Sequence, residues 1–356
     1  MRRVTRVVDT GFTLGCGNTG AMGSEPHDHC PPAGALHEIV TGVWAWVQPD
    51  GSWWLNNAGA IAGVGDDGTH AAGTFVVDTC ATFERTSAFL AAVAAATGDA
   101  PITMAANTHQ HGDHTYGNSV LPRTTVIIGQ EAMRAGLLTD PIIDGCPPVW
   151  SPVPEWGAVT RRVPSIAVRD SVTVYNGTRR IDLHHPGYPA HTTGDLIAWL
   201  PDERVLFSGD LLFNGLTPLV FMGSVTGARR CLEWLASFGP EHIVPGHGAL
   251  IDGASFERVL GEHDRYYELV ERGAADGRRD GLSPLEAARA CNAYSDWGEF
   301  AAWSDPERFV LNVHRAYADA EGRDLDLFAA IADAMTYNGG PMTTHVCCAP
   351  QLGAGE

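Results

Sequence analysis

Between residues 36 and 250 the apolar positions follow two alternating rules. Short runs rich in Val, Ile, Trp and Phe, bounded by Gly, Pro, Asn and Asp, have the pattern of strands and turns. Residues 37–40 and 43–47 flank a turn at Gly42, and 54–61 and 74–79 continue a meander past the turn Pro49-Asp50-Gly51. Residues 84–97 place Phe89, Leu90 and Val93 at helical spacing, and 102–107 read as a short buried strand. A strand at 124–128 and a helix at 130–138 follow. From Ile166 a second strand-rich half begins: 171–175 and 180–184 flank the hairpin signal Asn176-Gly177, and 196–200 and 205–208 flank Pro201-Asp202. Two strand-helix halves of similar plan predict an α/β fold, two sheets packed face to face with helices outside. After Ser255 the period becomes helical, at 256–272, from Ser283-Pro284-Leu285-Glu286, at 306–320 and at 325–335. The chain therefore divides into an N-terminal arm (1–34) without a sustained period, a catalytic core (35–252), and a helical C-terminal extension and tail (253–356).

Residues 139–165 interrupt this order with a stretch rich in proline and glycine around Trp150 and Trp156. A loop this long in a compact domain has a functional reading, a lid over a site. Trp44, Trp46, Trp53 and Trp54 are concentrated upstream. Half of them are expected in the sheet core and half in an aromatic wall at a substrate mouth.

Composition narrows the partners. The chain has 356 residues and is 44% hydrophobic, enough for a large core, and its net charge of −19 is carried without a single lysine. Such an acidic surface repels phosphate backbones, which excludes nucleic acid as a substrate. No run reaches the ~18 apolar residues of a membrane helix. Met1-Arg2-Arg3 opens like a signal peptide, but Asp9 breaks any apolar segment. The eight cysteines show no CxxC spacing, as expected of reduced thiols in a cytoplasmic protein.

The chemistry lies after the strand at 102–107. His109, His111, Asp113 and His114 fall within six residues. Side chains two apart on an extended strand end share a direction, and Gly112 lets the chain turn so that Asp113 and His114 face the same space. Imidazole and carboxylate suit Zn²⁺ and also Fe or Mn. Three later residues sit beside glycines near strand ends, where open sheets place ligand-binding groups: His191 in a turn before a strand, Asp210 after 205–209, and His247 in 243–248. By contrast, His27-Asp28-His29-Cys30 in the arm and Cys347-Cys348 beside His345 read as incidental, and His263 and His314 as packed or exposed helical residues.

The arrangement His109-x-His111-x-Asp113-His114, then His191, Asp210 and His247, resembles the metallo-β-lactamase superfamily over about residues 36–250. The resemblance implies an αββα sandwich and a dinuclear centre: His109, His111 and His191 on the first metal, Asp113, His114 and His247 on the second, Asp210 bridging. An aspartate at the Asp210 position resembles the thioesterase-like and glyoxalase-II-like branch. Val47-Gln48-Pro49-Asp50-Gly51, Asn56-Asn57-Ala58-Gly59, Asp113-His114-Thr115-Tyr116-Gly117-Asn118 and Gly209-Asp210-Leu211-Leu212-Phe213-Asn214 are similar to bacterial aromatic-polyketide cyclase/thioesterases of the actinorhodin type.

What this implies is a dinuclear-zinc hydrolase (two Zn²⁺, with Fe or Mn also compatible). Its metal-bridged hydroxide would attack a thioester or lactone carbonyl of a small molecule, carrier-protein- or CoA-linked, in secondary metabolism. Asp113 is the expected catalytic carboxylate, orienting the nucleophile or moving a proton. His184 or His185 is a candidate acid, and Tyr188 or Tyr116 a candidate oxyanion donor. The helical extension offers a homodimer surface. The alternatives are a zinc-dependent aldol cyclase without hydrolysis, a mononuclear-iron persulfide dioxygenase, and a β-lactamase.

Overall fold

The computed structural model describes residues 34–48, 50–66, 68, 73–292, 298 and 300–346. The arm cluster His27-Asp28-His29-Cys30 and the pair Cys347-Cys348, both read as incidental, lie outside them.

The first half is an antiparallel meander of β1 (Ala35–Val40), β2 (Val43–Val47), β3 (Ala58–Ala62) and β4 (Thr74–Val77). Helix α1 (Phe83–Thr97), capped by the Thr82 hydroxyl, carries the chain over to β5 (Ile102–Ala106). The short α2 (Gly112–Thr115) then precedes β6 (Val126–Gln130) and α3 (Glu131–Thr139). After β7 (Trp150–Ser151), β8 (Ile166–Val168) completes a sheet of order β1-β2-β3-β4-β5-β6-β8. The second sheet is built from β9 (Ser171–Asn176), β10 (Arg179–His184), β11 (Ile197–Leu200) and β12 (Val205–Asn214). After α4 (Val225–Ala236) come β13 (His242–Gly248) and β14 (Ile251–Asp252), giving the order β14-β13-β12-β11-β10-β9. Four helices follow: α5 (Gly253–Arg279), α6 (Pro284–Asn292), α7 (Arg308–Glu321) and α8 (Leu327–Asn338). A last strand, β15 (Met342–Thr343), lies parallel to β7.

Because successive strand residues face opposite sides, each sheet contributes to two cores. Val43, Ala45, Ile61, Phe75, Val77 and Ile128 meet Ile181, Leu183, Leu200, Phe207 and Val244 between the sheets. Alternating with them, Trp44, Trp46, Ala60, Val76 and Ile127 face Phe89 and Val93 of α1. On the far side Ile197, Leu206 and Ile243 pack against Leu232 and Leu235 of α4 and Phe256, Val259 and Leu260 of α5. The layers run helix, sheet, sheet, helix, as the two-halves pattern predicts. The later helices share that outer core through Ala287 and Ala288 of α6 and Phe309, Val310 and Val313 of α7. No helix among the described residues is long and apolar enough to cross a membrane.

Three elements differ from their sequence expectation. The strand at 54–61 begins only at Ala58, because Trp53 and Trp54 form a turn in which Trp54 holds φ +70°. The strand at 205–208 runs on to Asn214, bent by register shifts around Gly209 that leave Asp210 inside it. The helix at 256–272 extends in both directions to Gly253 and Arg279. Residues 139–165 are mostly irregular and largely exposed, but Trp150 and Trp156 anchor them. Trp156 lies 4.6 Å from Trp54 and 5.2 Å from Tyr116 between ring centroids, and Trp150 lies 5.5 Å from Trp53. All four upstream tryptophans are core residues rather than half of them forming a mouth, Trp44 and Trp46 packing against α1 and Trp53 and Trp54 against residues 139–165.

Candidate metal centre

Strand β5 ends at Ala106 and delivers Asn107 to His111 into the gap between the sheets. His111 is still extended (φ −63°, ψ 147°) as it caps α2, whose first turn carries Asp113 and His114. Loop 185–195 brings His191, the bend of β12 brings Asp210, and β13 brings His247. These seven side chains, all but the half-buried His111 largely removed from solvent, form two adjoining clusters. His109, His111, His191 and Asp210 make one, Asp113, His114 and His247 the other, and within each the ligand-type atoms lie within 4.8 Å of one another.

In the first cluster His109 Nε2 and His111 Nδ1 are 3.0 Å apart, His191 Nε2 and His111 Nδ1 2.9 Å, and His191 Nε2 and His109 Nε2 3.2 Å. In the second, His247 Nε2 is 3.1 Å from Asp113 Oδ2, and His114 Nε2 is 3.7 Å from it. Asp210 spans both. Its Oδ1 lies 3.1 Å from His114 Nε2, and its Oδ2 lies 3.3 Å from His247, 3.4 Å from His191 and 3.8 Å from His109. Two glycines allow this approach. Gly209 holds φ +52° against Thr108, and a Cβ on Gly246 would fall 1.8 Å from Asp210 Oδ1.

Outer contacts fix the rings. His114 Nδ1–H donates to Asp78 Oδ2 at 2.8 Å, and His247 Nδ1–H to Gly51 O at 2.8 Å, with Leu55 O at 3.1 Å. His191 Nδ1–H donates to Leu219 O. Thr108 Oγ1 gives its proton to Asp78 Oδ2 (2.7 Å), so at 3.1 Å it accepts from His109 Nδ1–H. Asn57 anchors the β13 end through Pro245 O (2.9 Å) and Gly248 O (2.8 Å). Each of these four imidazoles therefore turns its Nε2 inward, as a bare lone pair in His109 and His191.

That donor set fits a cation. Lone pairs of His109 and His191 face each other at 3.2 Å with no proton to share, and His114 Nε2 and Asp210 Oδ1 are buried without a hydrogen-bond partner despite their proximity. Buried polar atoms left so are costly, and a divalent ion between them satisfies them together. In the first cluster electrostatics agree. In the second, burial opposes charge on the rings but Asp210 and Asp113 outweigh it, raising His114 well above its usual range and His247 to about 9. Without an ion both rings there carry the proton that a cation would displace. Burial pushes His109 well below its usual range and His191 down to about 3, so both stay neutral. Burial also opposes charge on Asp113, yet His114 and His247 outweigh it and bring that carboxyl down to about 2. Around Asp210 the same contest ends well below the usual carboxylate range, led by His247 and His114.

Other expected participants are engaged elsewhere. Tyr116 is not an oxyanion donor: its hydroxyl donates to Asp140 Oδ2 at 2.7 Å, and its buried ring underlies Gly112. Tyr188 carries the Arg230 guanidinium 4.2 Å above its ring. His185 is bonded to Asp195 O at 2.8 Å, and His184 tilts against Phe238. His263 and His314 are packed as expected, His263 accepting from Phe213 N–H at 3.1 Å and His314 facing Asp333 at 2.8 Å. Asp78, Thr108 and Leu219 were not singled out in the sequence. Asp78, a carboxylate just after a buried strand, was the one with a visible signal.

The sequence model of the metallo-beta-lactamase superfamily matches residues 53–247. Acyl-coenzyme A thioesterase MBLAC2 of Bos taurus is 27% identical over 156 residues, 40% of this chain and 55% of that protein. Hydroxyacylglutathione hydrolase of Methylococcus capsulatus is 30% identical over 142 residues, 38% of this chain and 43% of that one. The chain thus spans about half the length of the curated relatives it matches. Among solved structures, sec-alkylsulfatase Pisa1 from Pseudomonas sp. superposes with TM-score 0.63 at 17% identity, over 83% of this chain and 51% of that one. A metallo-beta-lactamase from Pontibacter korlensis gives 0.51 at 15%, over 65% and 98%. At these identities the likeness is one of fold.

Proposed function

The chain belongs to the metallo-β-lactamase superfamily, and from that membership and the paired clusters we propose that it is a dinuclear-zinc hydrolase of thioester-type acyl substrates. The observation that carries the proposal is Asp210, whose two oxygens face His114 on one side and His191, His109 and His247 on the other. His109, His111 and His191 would hold one ion, Asp113, His114 and His247 the other, with Asp210 between them. When bound, the ions supply an ionised water near neutral pH and polarise the acyl carbonyl.

The chain's own groups do the rest. Asp78, Thr108, Leu219 and Gly51 keep four imidazoles in the tautomer that offers Nε2. Asp113, ionised at neutral pH, would hold the second ion and accept a hydrogen bond that orients the attacking water. His111 is the half-exposed ligand, so substrate enters on its side. There Phe221 stacks on its ring at 5.7 Å, and Met222, 39% exposed, lies against His111 Nε2 at 3.2 Å. Phe221 packs against the buried cluster of Trp53, Trp54, Trp150 and Trp156, and with Met222 it offers an apolar edge beside His111 suited to an apolar or aromatic acyl group. The acyl-coenzyme A thioesterase similarity supports a substrate carried on a thiol of coenzyme A or of a carrier protein, and the apolar edge is compatible with a polyketide chain.

The test offers the protein, both with the metal it carries on purification and after zinc loading, acyl-CoA thioesters, lactones, a β-lactam and a persulfide. Release of free thiol from the thioester, abolished in Asp210→Ala, is expected. Oxygen uptake with persulfide, or ring opening of the β-lactam alone, would overturn the proposal.

A further inference from the structure

The carbonyl that orients His191 belongs to a segment with no regular structure of its own. Residues 215–224 leave β12 and cross beneath the 189–191 loop, where Ser224 N–H donates to Ala190 O at 2.9 Å. Leu219 and Val220 are buried there. An irregular backbone has many conformations, and only one aims Leu219 O at His191 Nδ1–H.

The bracket that selects that conformation comes from helix α7. Asn312 is fully buried in an otherwise apolar run, Phe309-Val310-Leu311-Asn312-Val313. Its Oδ1 accepts from Val220 N–H at 2.8 Å and its Nδ2 donates to Pro218 O at 2.7 Å, one bond on each side of Leu219. The amide orientation is set by chemistry, since Val220 N–H can only donate and Pro218 O can only accept. Nδ2 also donates to the Tyr266 hydroxyl at 2.8 Å, which ties the amide to α5. Arg308, one turn earlier on α7, reaches Thr217 O at 3.3 Å. Thus Thr217, Pro218 and Val220 are all held by one helix face, and Leu219, between them, points its carbonyl at the imidazole.

We propose that Asn312 is a positioning residue for the metal centre: by clamping Pro218 and Val220 it holds the Leu219 carbonyl that fixes the tautomer and direction of His191. The helical extension is then part of the centre's support. This deepens the function proposed above and rests on it, but the tautomer of His191 is measurable in metal-free protein. A side chain one step beyond the orienting carbonyl should act at the lower end of the tenfold to hundredfold range typical of outer groups.

The experiment compares the full chain with Asn312→Leu, Asn312→Asp and, as a control, Val313→Ala, a buried apolar change on the same helix. Imidazole nitrogen NMR on metal-free protein reads the His191 tautomer, and competition with a chromogenic chelator reads zinc affinity. The proposal expects wild-type His191 to hold its proton on Nδ1. Asn312→Leu should give a mixed or reversed tautomer and about tenfold weaker zinc binding at one of two sites. Asn312→Asp, which keeps the acceptor for Val220 but loses the donor to Pro218, should shift both readings less and in the same direction. It decides the matter if the leucine variant does not fold. Val313→Ala should lower stability and leave both readings unchanged. Wild-type tautomer and affinity in the Asn312 variants, or an equal change in Val313→Ala, would overturn the proposal. Wild-type protein that takes up no zinc would overturn the function itself, while the tautomer in metal-free protein still decides what Asn312 does.

Discussion

Five imidazoles and two carboxylates share one buried volume here, so each outer contact has measurable consequences. Asp78 accepts from His114 Nδ1–H, Thr108 N–H and the Thr108 hydroxyl. Replacing it with Ala frees the His114 ring and leaves Thr108 without its acceptor. Zinc affinity should fall roughly 10–100-fold, read by chelator competition. His263 makes a different prediction. Burial lowers it from 6.5 to about 4, because its Nε2 must stay unprotonated to accept from Phe213 N–H. Between pH 6.5 and 4 the unfolded chain binds one more proton at this residue than the folded one. Stability from this source is therefore complete above 6.5 and lost as pH falls toward 4, by a few kcal/mol at most. Denaturant titrations across that interval should show the slope in wild type and a shallower one in His263→Gln. The ligands were legible in the sequence because they combine unusual spacing with adjacent glycines. The groups that orient them were less so. Leu219 and Gly51 act through backbone carbonyls, which any residue supplies, and Asn312 acts across a separation in sequence that no local pattern reveals.

At the level of elements, alternation was enough to find the strands and the two halves, since both faces of each sheet are buried against something apolar. It failed where backbone geometry departs from a regular strand. Gly209 suggested an end to β12, yet the chain bulges there and continues, and the bulge aims Asp210. Proline and glycine in 139–165 marked an irregular segment without revealing its packing. Trp156 sits between Trp54 and Tyr116 and donates from Nε1 to Ile142 O at 2.8 Å, while Tyr116 reaches Asp140 at the segment's start. Trp156→Ala should cost about 3–5 kcal/mol of packing. Limited proteolysis should then cut within 139–165, at protease levels that leave the wild type intact.

On the scale of the molecule, the two sheets meet at the ligands, and residues 139–165 and the C-terminal helices pack against the loops behind them. Trp53 Nε1–H donates to buried Glu307 at 2.6 Å, and Arg308 lies 4.5 Å over the Trp53 ring. The extension therefore grips the loop whose carbonyls orient His247. Ions bound only by the assembled form stabilise it by mass action, by about 2.7 kcal/mol at a hundredfold excess over Kd. Exhaustive chelation should lower the melting temperature of the whole chain, and added zinc should restore it. If seven side chains hold two ions through a shared Asp210, the metal-to-protein ratio of the folded full chain records it. Two zinc ions per chain are expected in wild type, and a lower ratio in Asp210→Ala. A folded wild type without stoichiometric metal, or an Asp210→Ala protein that still holds two ions as tightly, would contradict it.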